Sequence, residues 1–143
     1  MKRSIIDIIP ENASAQDAAA ILAVLDQHAA LHLGAIEEKT DFAILLRDPD
    51  TNAVAGGLYG TDGFGWAFVK YLGVPDAYRG QGLGSRLLAE AETIARARGY
   101  IGVWLDTFEF QARPFYEKLG YTVFGELEGA ENAIPRYFLK KRF

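Results

Sequence analysis

At 143 residues, half of them hydrophobic and 13% aromatic, the chain has the size and apolar content of one ordinary folded domain over residues 1–143, which excludes global disorder. It has no cysteine, which excludes disulfides, thiolate metal sites and cysteine nucleophiles and is expected of a cytoplasmic protein. The net charge of −4 comes with no basic stripe beyond the short Lys140-Lys141-Arg142 run, so no nucleic-acid partner is expected. No apolar run approaches the roughly 20 residues that a membrane helix needs.

The N-terminus superficially resembles a secretion signal, but Asp7 breaks its apolar stretch and Pro10 ends it. The isoleucine-rich residues 4–9 are instead expected as a first strand. Ser14, with Asp17 three residues on, resembles a helix cap. Ala18, Ile21, Leu22, Leu25 and Ala29 then recur with the helical period, and Gly34 is the expected stop. His28 and His32 lie four apart on that helix, without a third ligand nearby, so no metal site is expected. Residues 42–46 and 53–59 read as a hairpin around the turn chemistry of Asp48-Pro49-Asp50-Thr51-Asn52. Thr61-Asp62-Gly63 turns again, into a strand of aromatic and β-branched residues from Trp66 to Val74. Pro75 stops that strand, because it cannot donate a ladder hydrogen bond.

A second amphipathic helix follows, with Leu83, Leu87, Leu88, Ala91, Ile94 and Ala95 on one face and Gly99 as its end. Residues 101–105 read as a strand, and residues 111–119 as a short helix closed by Gly120. Residues 121–127 and 135–140 complete the chain as two strands joined by a loop at 128–133. The order β-α-β-β-β-α-β-α-β-β implies an α/β (α+β) fold, a mixed sheet with helices on both faces.

The chemistry concentrates where the Trp66–Val74 strand gives way to the second helix, through Pro75-Asp76-Ala77-Tyr78-Arg79-Gly80-Gln81-Gly82-Leu83-Gly84-Ser85. A helix start leaves backbone N–H groups unpaired and carries about half a positive charge. Glycines remove the Cβ atoms that would keep an anion away. Such a loop fits a phosphate or pyrophosphate site, or else a tight turn. Its G-x-G-x-G spacing is neither the dinucleotide fingerprint G-x-G-x-x-G nor the Walker sequence.

Arg79-x-x-Gly82-x-Gly84, five residues after Val74, resembles the acetyl-CoA signature R/Q-x-x-G-x-G/A of the GNAT superfamily of N-acetyltransferases. A second block, Ala112-Arg113-Pro114-Phe115-Tyr116-Glu117-Lys118-Leu119-Gly120-Tyr121, is similar to that family's A-x-x-F-Y-x-K-x-G-F/Y segment. The resemblance is specific over residues 72–121 and architectural elsewhere. It implies a mostly antiparallel sheet of about seven strands, and acetyl-CoA as cosubstrate with no metal. It further implies that amides of Gly80, Gln81, Gly82, Leu83, Gly84 and Ser85 cradle the pyrophosphate, and that Arg79 shapes the loop or approaches the phosphates. The main chain of Leu72 and Val74 would hold the pantetheine arm like an added strand, and an amide near Leu72 and Gly73 would polarise the acetyl carbonyl. Tyr116 is the implied catalytic residue, its phenol protonating the leaving sulfur; read from the residues alone, it also fits as an aromatic packing the short helix. Glu109 stands where the family usually carries an asparagine, and Gln111 would supply an amide in its place.

The amine must lose a proton, to Asp106, Glu109, Glu37, Glu38 or a water. The acceptor pocket implied by the fold spans residues 31–40, Trp66, Tyr71, Phe108 and residues 128–135. This mixture of aromatic and acidic groups fits a small cationic amine. The leading expectation is therefore acetyl transfer to a primary amine of a small molecule, by direct attack in a ternary complex. Alternatives are a protein lysine or N-terminal acetyltransferase and a non-catalytic acyl-CoA sensor. The resemblance also implies that the two C-terminal strands can pair or swap between copies in a homodimer.

Overall fold

The computed structural model describes residues 1–33, 38–108 and 112–143. The chain divides into two compact units, Met1–Ile36 and Glu37–Phe143.

In the first unit, the Ser14 hydroxyl accepts the backbone N–H of Asp17 at 3.0 Å. That bond satisfies one of the amides a helix start leaves unpaired, and α1 follows over Ala15–Leu33. His28 and His32 share one of its faces, with ring centroids 4.5 Å apart. Residues 4–9, expected as a strand, have no regular structure. Isoleucine favours a pleated surface, but a strand takes its hydrogen bonds from a neighbour, and no strand of the sheet pairs with these residues. The sheet accordingly has six strands rather than about seven.

The second unit runs β1 (Phe42–Arg47), β2 (Val54–Asp62), β3 (Trp66–Gly73), a 3₁₀ turn (Asp76–Tyr78), α2 (Leu83–Ala97), β4 (Gly102–Thr107), α3 (Ala112–Lys118), β5 (Thr122–Leu127) and β6 (Arg136–Arg142). The strand order is β1-β2-β3-β4-β6-β5. Every pairing is antiparallel except β3 with β4, so the expected mixed, mostly antiparallel sheet is present. The second turn falls later than expected, because Thr61 and Asp62 remain in β2. Asp62 Oδ1 accepts the Phe64 N–H at 3.1 Å, and the Gly63 N–H closes the hairpin on the Trp66 carbonyl at 2.8 Å.

One stripe of α2 (Leu87, Leu88, Ala91 and Ala95) is buried, and it meets Leu58, Ala67, Val69, Val103, Leu105 and Leu139 of the strands in one core. Alternation along the strands sends Trp66, Phe68, Trp104, Phe124 and Phe138 to the opposite face, where Phe68 and Trp104 stack with centroids 4.2 Å apart. Glu92 ties α2 to the far end of the chain. Its carboxylate pairs with Lys141 Nζ at 2.7 Å and accepts the Tyr121 hydroxyl at 3.3 Å. Burial first, and then that neighbouring carboxylate, push the Tyr121 hydroxyl far above the usual phenol range. No described helix is long and apolar enough to cross a membrane.

Candidate cofactor groove and active site

Parallel pairing of β3 with β4 runs only from Trp66–Gly102 to Val69–Leu105. Both strands continue, to Gly73 and Thr107. Beyond Val69 the outer edge of β3 stays paired to β2, through Tyr59–Tyr71, Leu58–Leu72 and Gly57–Gly73. Its inner edge has no partner in β4, and the two strands splay. A register shift between Tyr59 and Gly60 leaves Lys70 as an extra residue on β3. Such a bulge strengthens twist and re-aims the strand end.

The splay leads to the start of α2. Pro75 and the 3₁₀ turn carry the chain round, and then Gly80 and Gly82 take the left-handed conformation, at φ of 82° and 70°. Gly82 is the N-cap of α2 and, being glycine, supplies no side-chain hydrogen bond to the helix. The first amides of α2 therefore have no capping side chain, at the positive end of a 15-residue helix. That is the chemistry of an anion site. Gly84 is glycine for a different reason. A Cβ there would lie 3.1 Å from Phe115 Cζ, so its bareness lets α3 close against α2.

These elements enclose a groove of about 470 Å³. Leu72 and Val74 form one wall; Arg79, Gly80, Gly82, Leu83, Gly84 and Ser85 form the floor at the helix start. Tyr78, Ala112 and Phe115 complete it. Sequence reasoning did not single out those three, although each stands inside or beside one of the two motifs. Arg79 reaches back to Asp76 at 3.0 Å, with both side chains exposed.

The remaining expected residues are placed as follows. Gln81 lies in the same loop and is exposed. Gly73 lines a smaller hollow of about 270 Å³ with Tyr59 and Tyr71, rather than the groove itself. Tyr116 is only 8% exposed, packed edge-to-face on Phe115 and on Tyr121 at 5.1 and 6.0 Å between centroids. Gln111, Glu109 and Glu37 lie outside the described residues. Glu38 is exposed. Asp106 is held by Arg136, whose Nη2 and Nε lie 2.9 and 3.1 Å from its Oδ1, so this carboxylate is part of an ion pair. Of the expected acceptor lining, residues 34–37 lie outside the described residues, and Trp66, Tyr71 and Phe108 have different surroundings. Trp66 joins Trp104, Phe124 and Phe138 in a trough of about 490 Å³, Tyr71 lines the separate hollow with Tyr59, and Phe108 stacks under the Arg136 guanidinium at 4.9 Å. Among the described residues, no three histidine, aspartate or glutamate side chains gather as a metal site.

Comparison with known proteins matches residues 10–121 to the acetyltransferase (GNAT) family. Acetyltransferase Atu2258 of Agrobacterium fabrum is 41% identical over 129 residues, 89% of this chain and 93% of that protein. Blasticidin-S acetyltransferase of Streptomyces morookaense is 40% identical over 89 residues, 62% of this chain and 65% of that protein. A crystal structure from Agrobacterium tumefaciens superposes with a TM-score of 0.89 at 36% identity, covering 97% of this chain and 100% of the other.

Proposed function

This chain belongs to the acetyltransferase (GNAT) family and is an acyltransferase, and from that premise we propose that it moves an acetyl group from acetyl-CoA to a primary amine of a small molecule. The observation that carries the cofactor reading is the splay of β3 from β4, which opens onto an uncapped helix start. A pyrophosphate fits the bare amides from Gly80 to Ser85. The main chain at Leu72, near the end of β3, and at Val74 just beyond it fits an extended amide-bearing arm, added like a strand. An amide at Leu72 or Gly73 would then face the acetyl carbonyl and stabilise the negative charge that develops there.

In this reading acetyl-CoA supplies the activated thioester. The Tyr116 hydroxyl supplies the proton to the departing sulfur, as general acid. Its place in the block that resembles the family's A-x-x-F-Y-x-K-x-G-F/Y segment supports that role, and burial excludes water from its ring. The amine's proton goes to a water or to Glu37, Glu38 or Glu109 rather than to Asp106, whose carboxylate the Arg136 guanidinium already engages. Transfer is direct, because the chain has no cysteine to carry an acyl group. The small-molecule acceptor is supported by the relative named for blasticidin S. A homodimer through β5 and β6 is supported by the edge position of β5, with exposed Phe124 and Leu127.

The test is a screen for coenzyme A release over polyamines, aminoglycosides, amino acids and peptides. Turnover on a small amine is expected. Turnover on peptides alone would move the acceptor to proteins. Binding of acetyl-CoA without turnover on any amine would make the chain a binding module.

A further inference from the structure

We infer that the hydrogen bond from Tyr78 to Asp48 positions the phosphate loop, so that a turn some 30 residues upstream sets the affinity for acetyl-CoA without touching the reacting atoms. The inference rests on the reading of the groove as the acetyl-CoA site.

Tyr78 ends the 3₁₀ turn and lines the groove, immediately before Arg79 and Gly80. Its hydroxyl donates to Asp48 Oδ2 at 3.3 Å. The other oxygen of the same carboxylate, Oδ1, accepts the N–H groups of Asp50 and Thr51 at 2.8 and 3.0 Å. One side chain thus folds the β1–β2 turn and also reaches across to the loop. The turn is firm in its own right. Asp48 N–H donates to the Ala53 carbonyl at 2.9 Å, Asn52 N–H to the Asp48 carbonyl at 2.8 Å, and the Arg47 guanidinium to the Asn52 carbonyl at 2.9 Å.

A second contact sets the same hairpin against the loop. A Cβ at Gly56 would fall 2.5 Å from the Gly73 carbonyl oxygen and 3.0 Å from Pro75 Cδ. Only a bare residue lets β2 lie so close to the chain leaving β3. Beyond this point, by contrast, the loop is built on Gly80 and Gly82, which have no side chains to anchor it and a wide choice of backbone conformations. A loop held in its binding geometry before the ligand arrives loses less freedom on binding. At 3.3 Å the Tyr78–Asp48 hydrogen bond is a long one, but it ties a residue of the groove directly to the firm β1–β2 turn. The Thr51 and Asp50 N–H groups keep the Asp48 carboxyl below its ordinary range, while burial and the Asp48 charge push the Tyr78 hydroxyl up. The pair is therefore carboxylate and phenol at neutral pH.

Tyr78→Phe keeps the ring in the groove wall and removes the hydroxyl. Its dissociation constant for coenzyme A, measured by calorimetry, and its KM for acetyl-CoA should rise about three- to tenfold, with kcat within about twofold of wild type. Asp48→Asn keeps the turn through its side-chain oxygen and offers an N–H to the Tyr78 oxygen, so it should stay close to wild type. Asp48→Ala should weaken binding, and adding Tyr78→Phe to it should cost nothing further. Unchanged coenzyme A binding in Tyr78→Phe, additive losses in the double variant, or a fall in kcat and melting temperature equal to the fall in affinity would each overturn the inference. A wild-type protein that does not bind coenzyme A would instead remove the reading of the groove, and the inference with it.

Discussion

Gly82 and Gly84 stand two apart in one motif and are glycine for different physical reasons. Gly82 holds φ of 70°, where an alanine is strained by roughly 1–2 kcal/mol. Gly84 is helical and merely small, so that Phe115 can approach. Gly82→Ala should therefore weaken coenzyme A binding by about tenfold. Gly84→Ala should cost no more than about threefold, because a phenyl ring can give by a few tenths of an ångström. Calorimetric titration of both variants decides it, and equal losses would contradict the assignment. Tyr116 calls for a different readout. Tyr116→Phe should retain coenzyme A affinity while kcat falls by roughly 10²-fold, the lower end for general acid catalysis. Undiminished kcat in that variant would remove Tyr116 from the chemistry and leave it as the buried aromatic its packing already describes.

Turns and strand ends hold the second unit in register, and two of them are tied by titrating groups. The Asp48 carboxyl is lowered by N–H donation from Thr51, then Asp50. At Asp62, burial is the largest influence and acts upward, but the Lys39 N–H, the Tyr100 hydroxyl, the Phe64 N–H and the nearby Arg98 charge outweigh it, and the net shift is downward. A carboxyl lowered in the folded state stabilises the fold above its unfolded pKa, and that stabilisation is lost as pH falls through the folded value. The melting temperature should thus hold from neutral pH down to about the reference value of 3.8 and fall below it. Asp48→Asn removes one of the two titrating groups and should flatten that fall. A melting series between neutrality and strong acid reads this, and identical slopes in both proteins would refute the linkage. Helix patterning was legible at this scale. The stripe from Leu87 to Ala95 on α2 is where the periodicity placed it, because a helix declares its buried face through spacing alone. The strand expected at residues 4–9 does not form, because a strand depends on a partner that local sequence does not name.

At the scale of the whole molecule, direct transfer requires both substrates on the protein together. Initial-rate plots against acetyl-CoA at several amine concentrations should intersect rather than run parallel, and mass spectrometry of protein incubated with acetyl-CoA alone should find no acetyl adduct. Parallel lines with a stable adduct would replace direct attack with a two-step route through some residue other than cysteine.

Glycines between a strand and a helix, a second block ending in Gly120-Tyr121 and the helical periodicities together determined the family and most of the element order from sequence, and they point to the loop before α2 as the proposed cofactor site. They could do so because each is a local rule written over a few consecutive residues. Three things were decided only in three dimensions. The parting of β3 from β4 after Val69 and Leu105 joins residues 36 positions apart in sequence (105 minus 69). Trp66 and Tyr71, both expected in the acceptor lining, border different hollows, because they stand at opposite ends of β3 beside different neighbouring strands. The clasp of Tyr78 on Asp48 depends on a hairpin folding against a loop. All three are contacts between distant segments, and their partners are chosen by the packing of the sheet rather than by the neighbours of each residue in the chain.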